Sequence, residues 1–275
     1  AAFCLAAGAA RGEAYLVKNG QPLADIVLAE QPARMAKLAA RELQTYLKKI
    51  TGAELAIVTA PGTNVPAHVF VGKSAHTDRL GLSTDGLAHG AFRMASGPGW
   101  PAGNASPGDA GWLALLGPDR DFVPVEPWPR KRADLPRVLK EWDAISGSTF
   151  ATPYSQLYRW HCPELDLWLL DDAGTLNAVH EFLRTLGVRW YFPGELGEIV
   201  PRQETVALPA LDRTVRPDFP LRSVMWWGMQ NGMPAEEVLW SLRLGIHYGP
   251  ELIGLTQNCH GISTVTSSGP VLSAA

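Results

Sequence analysis

Apolar residues at spacings of three and four mark the clearest element of the chain, a helix over 174–186. Its predicted buried stripe consists of Leu176, Val179, Phe182, Leu183 and Leu186. The hydroxyl of Thr175 is expected to cap the first turn, and Gly187 to end the helix in the left-handed conformation. The run 188–191 is β-branched and aromatic, which predicts a short strand before Pro193-Gly194.

The earlier residues alternate between strand and helix patterns. The predicted elements are a hairpin with its turn at Asn19-Gly20 and return strand over 24–28, a helix that begins at Pro32 and ends at Gly52, and strands over 55–58, 68–71, 91–95, 112–116, 166–170 and 206–208. Prolines interrupt the pattern over 119–165, which we interpret as an insertion with one helix over 135–145. Residues 209–220 are predicted to form a linker.

After residue 220 the pattern predicts a strand over 221–227, a helix over 234–244 and a strand over 251–256, which together form a β-α-β unit. Such a unit begins a parallel sheet or a (β/α)8 barrel, but a whole barrel needs about 200 residues or more. The expected fold class is therefore an α/β domain, a sandwich-like mixed sheet with flanking helices, followed by the truncated start of a (β/α)8 barrel. The expected divisions are a signal-peptide remnant at 1–14, the α/β domain at 15–212, the start of the barrel at 213–262 and an irregular tail at 263–275.

Composition narrows the possible functions. The apolar fraction of 46% and the charged fraction of 19% are typical of a globular protein with a sizeable core. A net charge of −3 argues against nucleic acid as the main partner, because phosphate binding needs a basic face. Ten tryptophans is a high number for 275 residues. In other proteins, tryptophan rings stack on sugars in carbohydrate-binding clefts or fill a hydrophobic core. The sequence does not distinguish between these two roles.

The first residues are small and apolar and carry no charge before Arg11. They suit the apolar region and cleavage zone of a secretory signal peptide, which predicts a periplasmic or extracellular protein; a buried N-terminal helix is the alternative. The run is too short to span a membrane. In an exported protein Cys162 and Cys259 are able to pair, but their separation favours two free thiols. The spacings required by zinc sites and by dinucleotide, serine-hydrolase and metalloprotease motifs are not present, so neither a metal nor a cofactor is predicted.

Three stretches together carry a resemblance to a known group of proteins. They are GTLNAVHEFLRTLGVRWYFPGELGEIVP at 174–201, AARELQTYLKKITGAELAIV at 39–58 and VFVGKS at 69–74. They resemble the α/β domain that precedes the catalytic barrel in α-glucuronidases, β-N-acetylhexosaminidases and a group of uncharacterised bacterial exported proteins. GELGEIVP and the insertion around EPWPRKRADLP resemble that last group most. The resemblance covers roughly residues 15–225 and implies carbohydrate as the partner.

A second resemblance lies in PDFPLRSVMWW at 217–227, which is similar to the entry into the barrel of hexosaminidase-like enzymes. It implies that Arg222 binds substrate hydroxyls through its planar guanidinium, although a pairing with a carboxylate between domains is equally open. Trp226 or Trp227 would stack on a sugar ring, and only one of them is able to face it. His260 follows the second barrel-like strand, where it would contact a sugar or transfer a proton. The alternative is a structural histidine whose hydrogen bonds are satisfied within the fold.

No catalytic residue is assigned within the chain. In the enzymes that it resembles, paired carboxylates on later barrel strands perform acid catalysis. Glu195 and Glu198 are expected instead to cap their loop or to hold it against the next domain by a salt bridge. The carboxylates of Asp171 and Asp172 are expected to interact with the partial positive charge at the N-terminus of the following helix.

Two hypotheses follow. The chain is the N-terminal fragment of an exported glycoside hydrolase-like protein that acts on polysaccharide or uronic-acid-containing oligosaccharide, the fragment itself being inactive. Alternatively, it is a non-catalytic carbohydrate-binding or structural module. The sequence indicates neither the sugar, the linkage nor the oligomeric state.

Overall fold

The computed structural model of the protein describes residues 14–99, 111–147, 157–220, 222 and 234–246. Within these ranges the fold is a six-stranded mixed sheet with flanking helices, which confirms the predicted α/β class. The two strands expected around the last helix, over 221–227 and 251–256, lie outside the described residues apart from Arg222.

The helices are α1 (Arg34–Thr51), α2 (Ala75–Arg79), α3 (Leu135–Ser146), α4 (Gly174–Thr185) and α5 (Ala235–Arg243). The strands are β1 (Tyr15–Lys18), β2 (Gln21–Pro22), β3 (Ala24–Val27), β4 (Ile57–Val58), β5 (Ala67–Val71), β6 (Phe92–Gly97), β7 (Gly111–Leu116), β8 (His161–Cys162), β9 (Leu167–Trp168), β10 (Arg189–Trp190), β11 (Glu198–Ile199), β12 (Val206–Ala207) and β13 (Asp212–Val215).

The main sheet has the order β13-β6-β7-β5-β3-β4. Strands β4, β3, β5 and β7 are parallel, whereas β6 and β13 are antiparallel to their neighbours. All five residues of β5 are buried, as expected for a central parallel strand that is covered on both faces. Three small sheets, β12-β1-β2, β10-β11 and β8-β9, surround it.

The two faces of the main sheet bury cores of different size. Along β7, Leu113 and Leu115 point into the large core, which also contains the apolar stripes of α1 and α4. Ala114 and Leu116 point to the opposite face and join a small cluster with Phe70. This alternation follows from the period of two along a strand. Helices α1 and α4 therefore lie together on one face of the sheet.

Buried aromatic residues contribute to this core. Trp128, Trp168 and Trp190 are each at most 6% exposed. For these three, the interpretation of tryptophan as core filling is confirmed. The thiol of Cys162 is buried and forms no disulfide.

Two predictions about strands near the ends of the α/β domain are wrong. The return strand of the hairpin is β2, whereas β3 leaves the hairpin and enters the main sheet beside β4 and β5. The segment 209–220 was expected to be a linker, but β13 within it pairs antiparallel with β6 at the edge of the sheet.

The ends of α1 are partly as predicted. Gly52 adopts the left-handed conformation and its N–H bonds to the carbonyl of Lys48, as the sequence indicated. The helix begins at Arg34 rather than at Pro32. None of the helices in the described parts of the chain has the length and apolar character needed to cross a bilayer.

Candidate functional site

A cleft of about 790 Å³ lies at the carboxyl ends of the central parallel strands. Strand β3 continues through α1 to β4 on one side, whereas β5 leads toward β6 and β7 on the other side. The connections after β3 and β5 therefore leave in opposite directions, and the cleft opens between them. In open α/β sheets, ligands bind at this kind of switch point.

The cleft is lined by residues from three connections and is mostly polar. Its polar side chains are Glu30, Gln31, Lys37, Lys73, Thr84, Asp119 and Asp121. Small residues form much of the remainder, namely Ala29, Ala33, Ala36 and Gly117. Its size lies in the range of small-molecule sites.

Asp119 occupies the N-terminal end of α4. Its Oδ1 accepts a hydrogen bond from the backbone N–H of Thr175 at 3.0 Å, and its Oδ2 accepts one from the hydroxyl of the same residue. Thr175 lies inside the helix and does not cap it, which corrects the sequence prediction; its hydroxyl oxygen accepts from the N–H of Gly117 at 3.0 Å. The carboxylate that binds the first turn of α4 is therefore that of Asp119, in the loop after β7.

Asp171 has a different role from the predicted one. It is 1% exposed, and its two oxygens accept from Nη2 and Nε of Arg34 at 2.6 and 3.0 Å. It also accepts from the backbone N–H groups of Phe122 and Trp168. Because Arg34 is the first residue of α1, Asp171 fixes the start of α1 instead of supporting α4. The neighbouring Asp172 forms an ion pair with Arg120 at 3.4 Å.

Burial raises the pKa of the Asp119 carboxyl from its ordinary 3.8 to about 7, and the charges of Asp172 and Asp121 act in the same direction. The hydrogen bonds from Thr175 oppose this effect without cancelling it. Asp119 therefore changes charge near neutral pH at the wall of an open cleft. A group with such a pKa is able both to give and to take a proton.

We expect Asp119→Asn to stabilise the protein by about 1–3 kcal/mol at pH 8 and to have little effect at pH 4. The folded carboxyl binds its proton up to about pH 7, whereas the unfolded one releases it near 3.8, so its contribution to stability falls as pH rises between these values. We expect less than the full effect of the shift, because the side chain borders solvent in the cleft. Urea unfolding at both pH values measures the difference between the two proteins.

The control for this comparison is Asp85→Asn, which removes a carboxylate from an exposed position before β6. It is expected to change stability by less than about 0.5 kcal/mol at either pH. If Asp119→Asn and the wild-type protein had parallel stability profiles from pH 4 to pH 8, the titration assigned to Asp119 would be wrong.

A second polar cluster joins α5 to α1 and β11. The guanidinium of Arg243 donates from Nε and Nη2 to the two oxygens of Glu42 at 2.8 and 3.0 Å. Its Nη1 donates to Oε1 of Glu198 at 3.2 Å. Glu42 lies on α1 and Glu198 on β11, so one arginine from α5 binds two separate elements.

The groups around this cluster complete its hydrogen bonding. Tyr46 donates its hydroxyl hydrogen to Glu198 and accepts from Nε1 of Trp190 at 2.7 Å. Lys49 pairs with the second oxygen of Glu198 at 2.7 Å. Two carboxylates therefore face two cations, and the charges balance. The prediction that Glu198 forms a salt bridge is confirmed, whereas Glu195 is exposed.

The charge state of Glu42 follows from these contacts. Burial alone would raise its pKa, but hydrogen bonds with His180 and Arg243 outweigh burial and lower the pKa to about 2. The contact with Nε2 of His180 is 3.4 Å, longer than both contacts with Arg243. Burial also lowers the pKa of His180, which keeps its imidazole neutral at pH 7. The guanidinium is therefore the main partner of the Glu42 charge.

The structure places only one of the four predicted substrate-binding residues. Trp226, Trp227 and His260 lie outside the described residues. Arg222 donates from Nε to the carbonyl of Gly245 at 2.9 Å, from Nη1 to that of Phe219 and from Nη2 to that of His89. These contacts connect the segment before α5 to the segment after it and to the loop before β6.

The cleft was not predicted from the sequence, and of the Arg243 cluster only a salt bridge of Glu198 was predicted. The partners lie far apart along the chain, 201 residues in the case of Glu42 and Arg243. A sequence signal did exist for the cleft, since Asp119 and Asp121 directly follow the buried strand over 111–116. Among the described residues, no group of three or more His, Cys, Asp or Glu side chains is placed to hold a metal ion.

No protein-family model and no curated protein sequence matches the chain. Among solved structures, the chain is similar to BtGH115A, described as a family GH115 4-O-methyl-α-glucuronidase with specificity for decorated arabinogalactans. The TM-score is 0.41 and the identity 17%, over 75% of this chain and 19% of that chain. The chain thus spans less than a quarter of that enzyme, and similarity of this degree identifies no activity.

Proposed function

We propose that this chain is the N-terminal part of an exported glycoside hydrolase-like protein that acts on polysaccharide or uronic-acid-containing oligosaccharide. In this proposal the α/β domain does not cleave substrate and instead holds the start of the following domain in place. The observation that carries the proposal is the burial of Arg243 between Glu42 and Glu198. The resemblance of roughly residues 15–225 to domains that precede a catalytic barrel, and of residues 217–227 to the entry into such a barrel, agrees with it.

The Arg243 cluster favours an anchor over a catalytic centre. The carboxylate of Glu42 has both oxygens bound and is 8% exposed, so substrate has no access to it. A bidentate arginine–carboxylate pair fixes orientation as well as distance. With a second carboxylate from β11, the cluster permits one placement of α5 against α1.

An apolar surface next to α5 supports the same role. Tyr191, Phe192 and Leu196 on the loop that joins β10 to β11, and Ile199 on β11 itself, are between 53% and 102% exposed. Gly194 of this loop lies against Glu236 in the first turn of α5. Apolar clusters on a surface mark interaction sites, and we infer that the domain begun by α5 covers this one.

Arg222 has a structural role in this proposal. Its three carbonyl contacts occupy much of a guanidinium that carries five N–H donors. Burial lowers its pKa, and the carbonyl dipoles compensate for the lost hydration. Trp226, Trp227 and His260 remain the proposed sugar contacts.

The proposal is tested by hydrolysis assays on two proteins. The purified 275-residue chain is expected to release no 4-nitrophenol above background from a panel of 4-nitrophenyl glycosides that includes glucuronides. The protein translated from the entire gene is expected to cleave at least one member of the panel or of a matching oligosaccharide panel. Turnover by the 275-residue chain would contradict the supporting role, and inactivity of the entire protein on both panels would contradict the hydrolase.

A second candidate function is a non-catalytic carbohydrate-binding module. The observation that favours it is the polar cleft at the switch point of the sheet, which is separate from the Arg243 cluster. Binding of glycans by the entire protein without any cleavage would favour this second function over the first.

A further inference from the structure

The cleft between the connections after β3 and β5 has chemistry that the anchoring role does not use. Its walls carry both carboxylates and ammonium groups, and part of its surface is formed by small side chains such as Ala33 and Ala36. Small residues leave room for a ligand to approach the backbone.

Phosphate is a poor match for this cleft. Helix N-termini attract phosphate through their free N–H groups. Here the chain's own carboxylates occupy such groups: Asp121 accepts from the N–H of Arg34 at 2.9 Å, and Asp119 accepts from the N–H of Thr175 at 3.0 Å. A phosphate at either helix end would meet a carboxylate instead of an amide.

Hydroxyl groups match the same atoms well. Each carboxylate oxygen has two lone pairs, so Asp119 and Asp121 are able to accept further hydrogen bonds. Lys37 and Lys73 line the cleft with exposed side chains, and among the described residues neither forms a salt bridge. A hydroxyl both donates and accepts, and is therefore able to bind a carboxylate and an ammonium at once.

We propose that the cleft binds a small neutral polyhydroxylated ligand of the size of a monosaccharide. Asp119 and Asp121 accept hydrogen bonds from its hydroxyls, and Lys37 and Lys73 donate to its oxygens. None of the described residues that line the cleft is aromatic, so in this proposal recognition depends on hydrogen bonds rather than on stacking. For a ligand of about a dozen heavy atoms, the expected dissociation constant is on the order of 1 mM. The inference rests on the second candidate function, for which it names a binding site and a ligand class, and it does not depend on hydrolysis.

Saturation-transfer difference NMR tests this proposal on the 275-residue chain. The probes are D-galactose, D-xylose and myo-inositol, with inorganic phosphate as the anionic comparison. At least one neutral probe is expected to bind, and to bind more tightly than phosphate as measured by phosphorus line broadening. Tighter binding of phosphate, or binding of no neutral probe up to 50 mM (about fifty times the expected constant), would overturn the proposal.

Matched variants on one helix locate the bound probe. Lys37→Met removes an ammonium at the cleft, whereas Lys48→Met removes one in the last turn of the same helix, roughly 16 Å along its axis. The first variant is expected to weaken binding at least fivefold, and the second to leave it unchanged. Equal affinity in both variants and in the wild-type protein would place the ligand elsewhere and overturn the assignment.

Asp119→Asn provides the corresponding test for the acceptor side. The asparagine retains one acceptor oxygen and the shape of the side chain, and thermal unfolding checks that the protein is folded. Binding is expected to weaken at least fivefold, because the second acceptor oxygen is replaced by a donor. Unchanged affinity in a folded Asp119→Asn protein would remove Asp119 from the site. Both readouts are binding measurements, so their failure is distinguishable from a failure of the hydrolysis assays.

Discussion

Replacing Arg243 by methionine is expected to destabilise the folded chain by about 3–5 kcal/mol at pH 7. The substitution retains most of the side-chain volume but removes the guanidinium that pairs with Glu42 at 2.8 and 3.0 Å. Glu42 would remain buried with a neutral histidine as its nearest partner, and an unpaired buried charge is costly. Urea unfolding followed by circular dichroism measures the loss.

A double-mutant cycle separates the pair from its surroundings. Glu42→Gln alone is expected to destabilise by a similar amount, because it leaves the guanidinium without its bidentate partner. The double variant is expected to be less destabilised than the sum of the single variants by about 1–3 kcal/mol, since contacting residues are not additive. The exposed pair of Lys48 and Glu54 is the control, and Lys48→Met is expected to cost less than about 1 kcal/mol.

The loss of stability caused by Glu42→Gln is expected to depend on pH in a definite direction. The folded state lowers the pKa of Glu42 to about 2 from its ordinary 4.5, so the ionised group contributes stability above pH 4.5. This contribution is lost as pH falls from 4.5 toward 2, and the difference in stability between wild-type protein and variant is expected to shrink over that range.

A loss of stability for Arg243→Met as small as that for Lys48→Met would mean that the cluster does not anchor α5.

Gly117→Ala is expected to destabilise the protein by about 3 kcal/mol or more. A Cβ at this position would lie 2.4 Å from the carbonyl carbon of Gly174 and 2.8 Å from the carbonyl oxygen of Ala91. Both are backbone atoms and are unable to rotate away as a side chain would. The end of β7 and the start of α4 would have to separate, and Asp119 would lose its contact with Thr175.

The control for this substitution is Gly147→Ala at the end of α3. Gly147 has φ of +66°, but no atom lies within 4 Å of its added Cβ. Its cost is therefore the left-handed conformation alone, about 1–2 kcal/mol. Unfolding of both variants in urea gives the comparison, and an equal cost at the two positions would contradict the close approach of β7 and α4.

The sequence predicts correctly those elements whose buried residues form a regular apolar pattern along the chain. The apolar stripes of α1 and α4 face one core, and the run over 67–71 is buried on both sides, so local patterns were sufficient. Strand β13 carries no such pattern, because three of its four residues are exposed. An exposed edge strand has the composition of a linker and was predicted as one.

The candidate site required information that local patterns do not contain. The pairing of Arg34 with Asp171 spans 137 residues, and that of Asp119 with Thr175 spans 56. The prediction placed Asp171 at the nearer helix end, because proximity along the chain was the available guide. The order of the strands, which creates the cleft, is likewise a long-range property.

The separation between Glu42 and Arg243 affects how the chain folds during synthesis. At about 5–20 residues per second, a ribosome needs roughly 10–40 s to extend the chain from one residue to the other. Throughout this interval α1 has a carboxylate on its inner face without the cation that neutralises it. Strand β13, which completes the edge of the main sheet, also emerges only shortly before Arg243. The cation that pairs with Glu42 therefore becomes available only after α4, the helix that packs against α1 in the core, has been made.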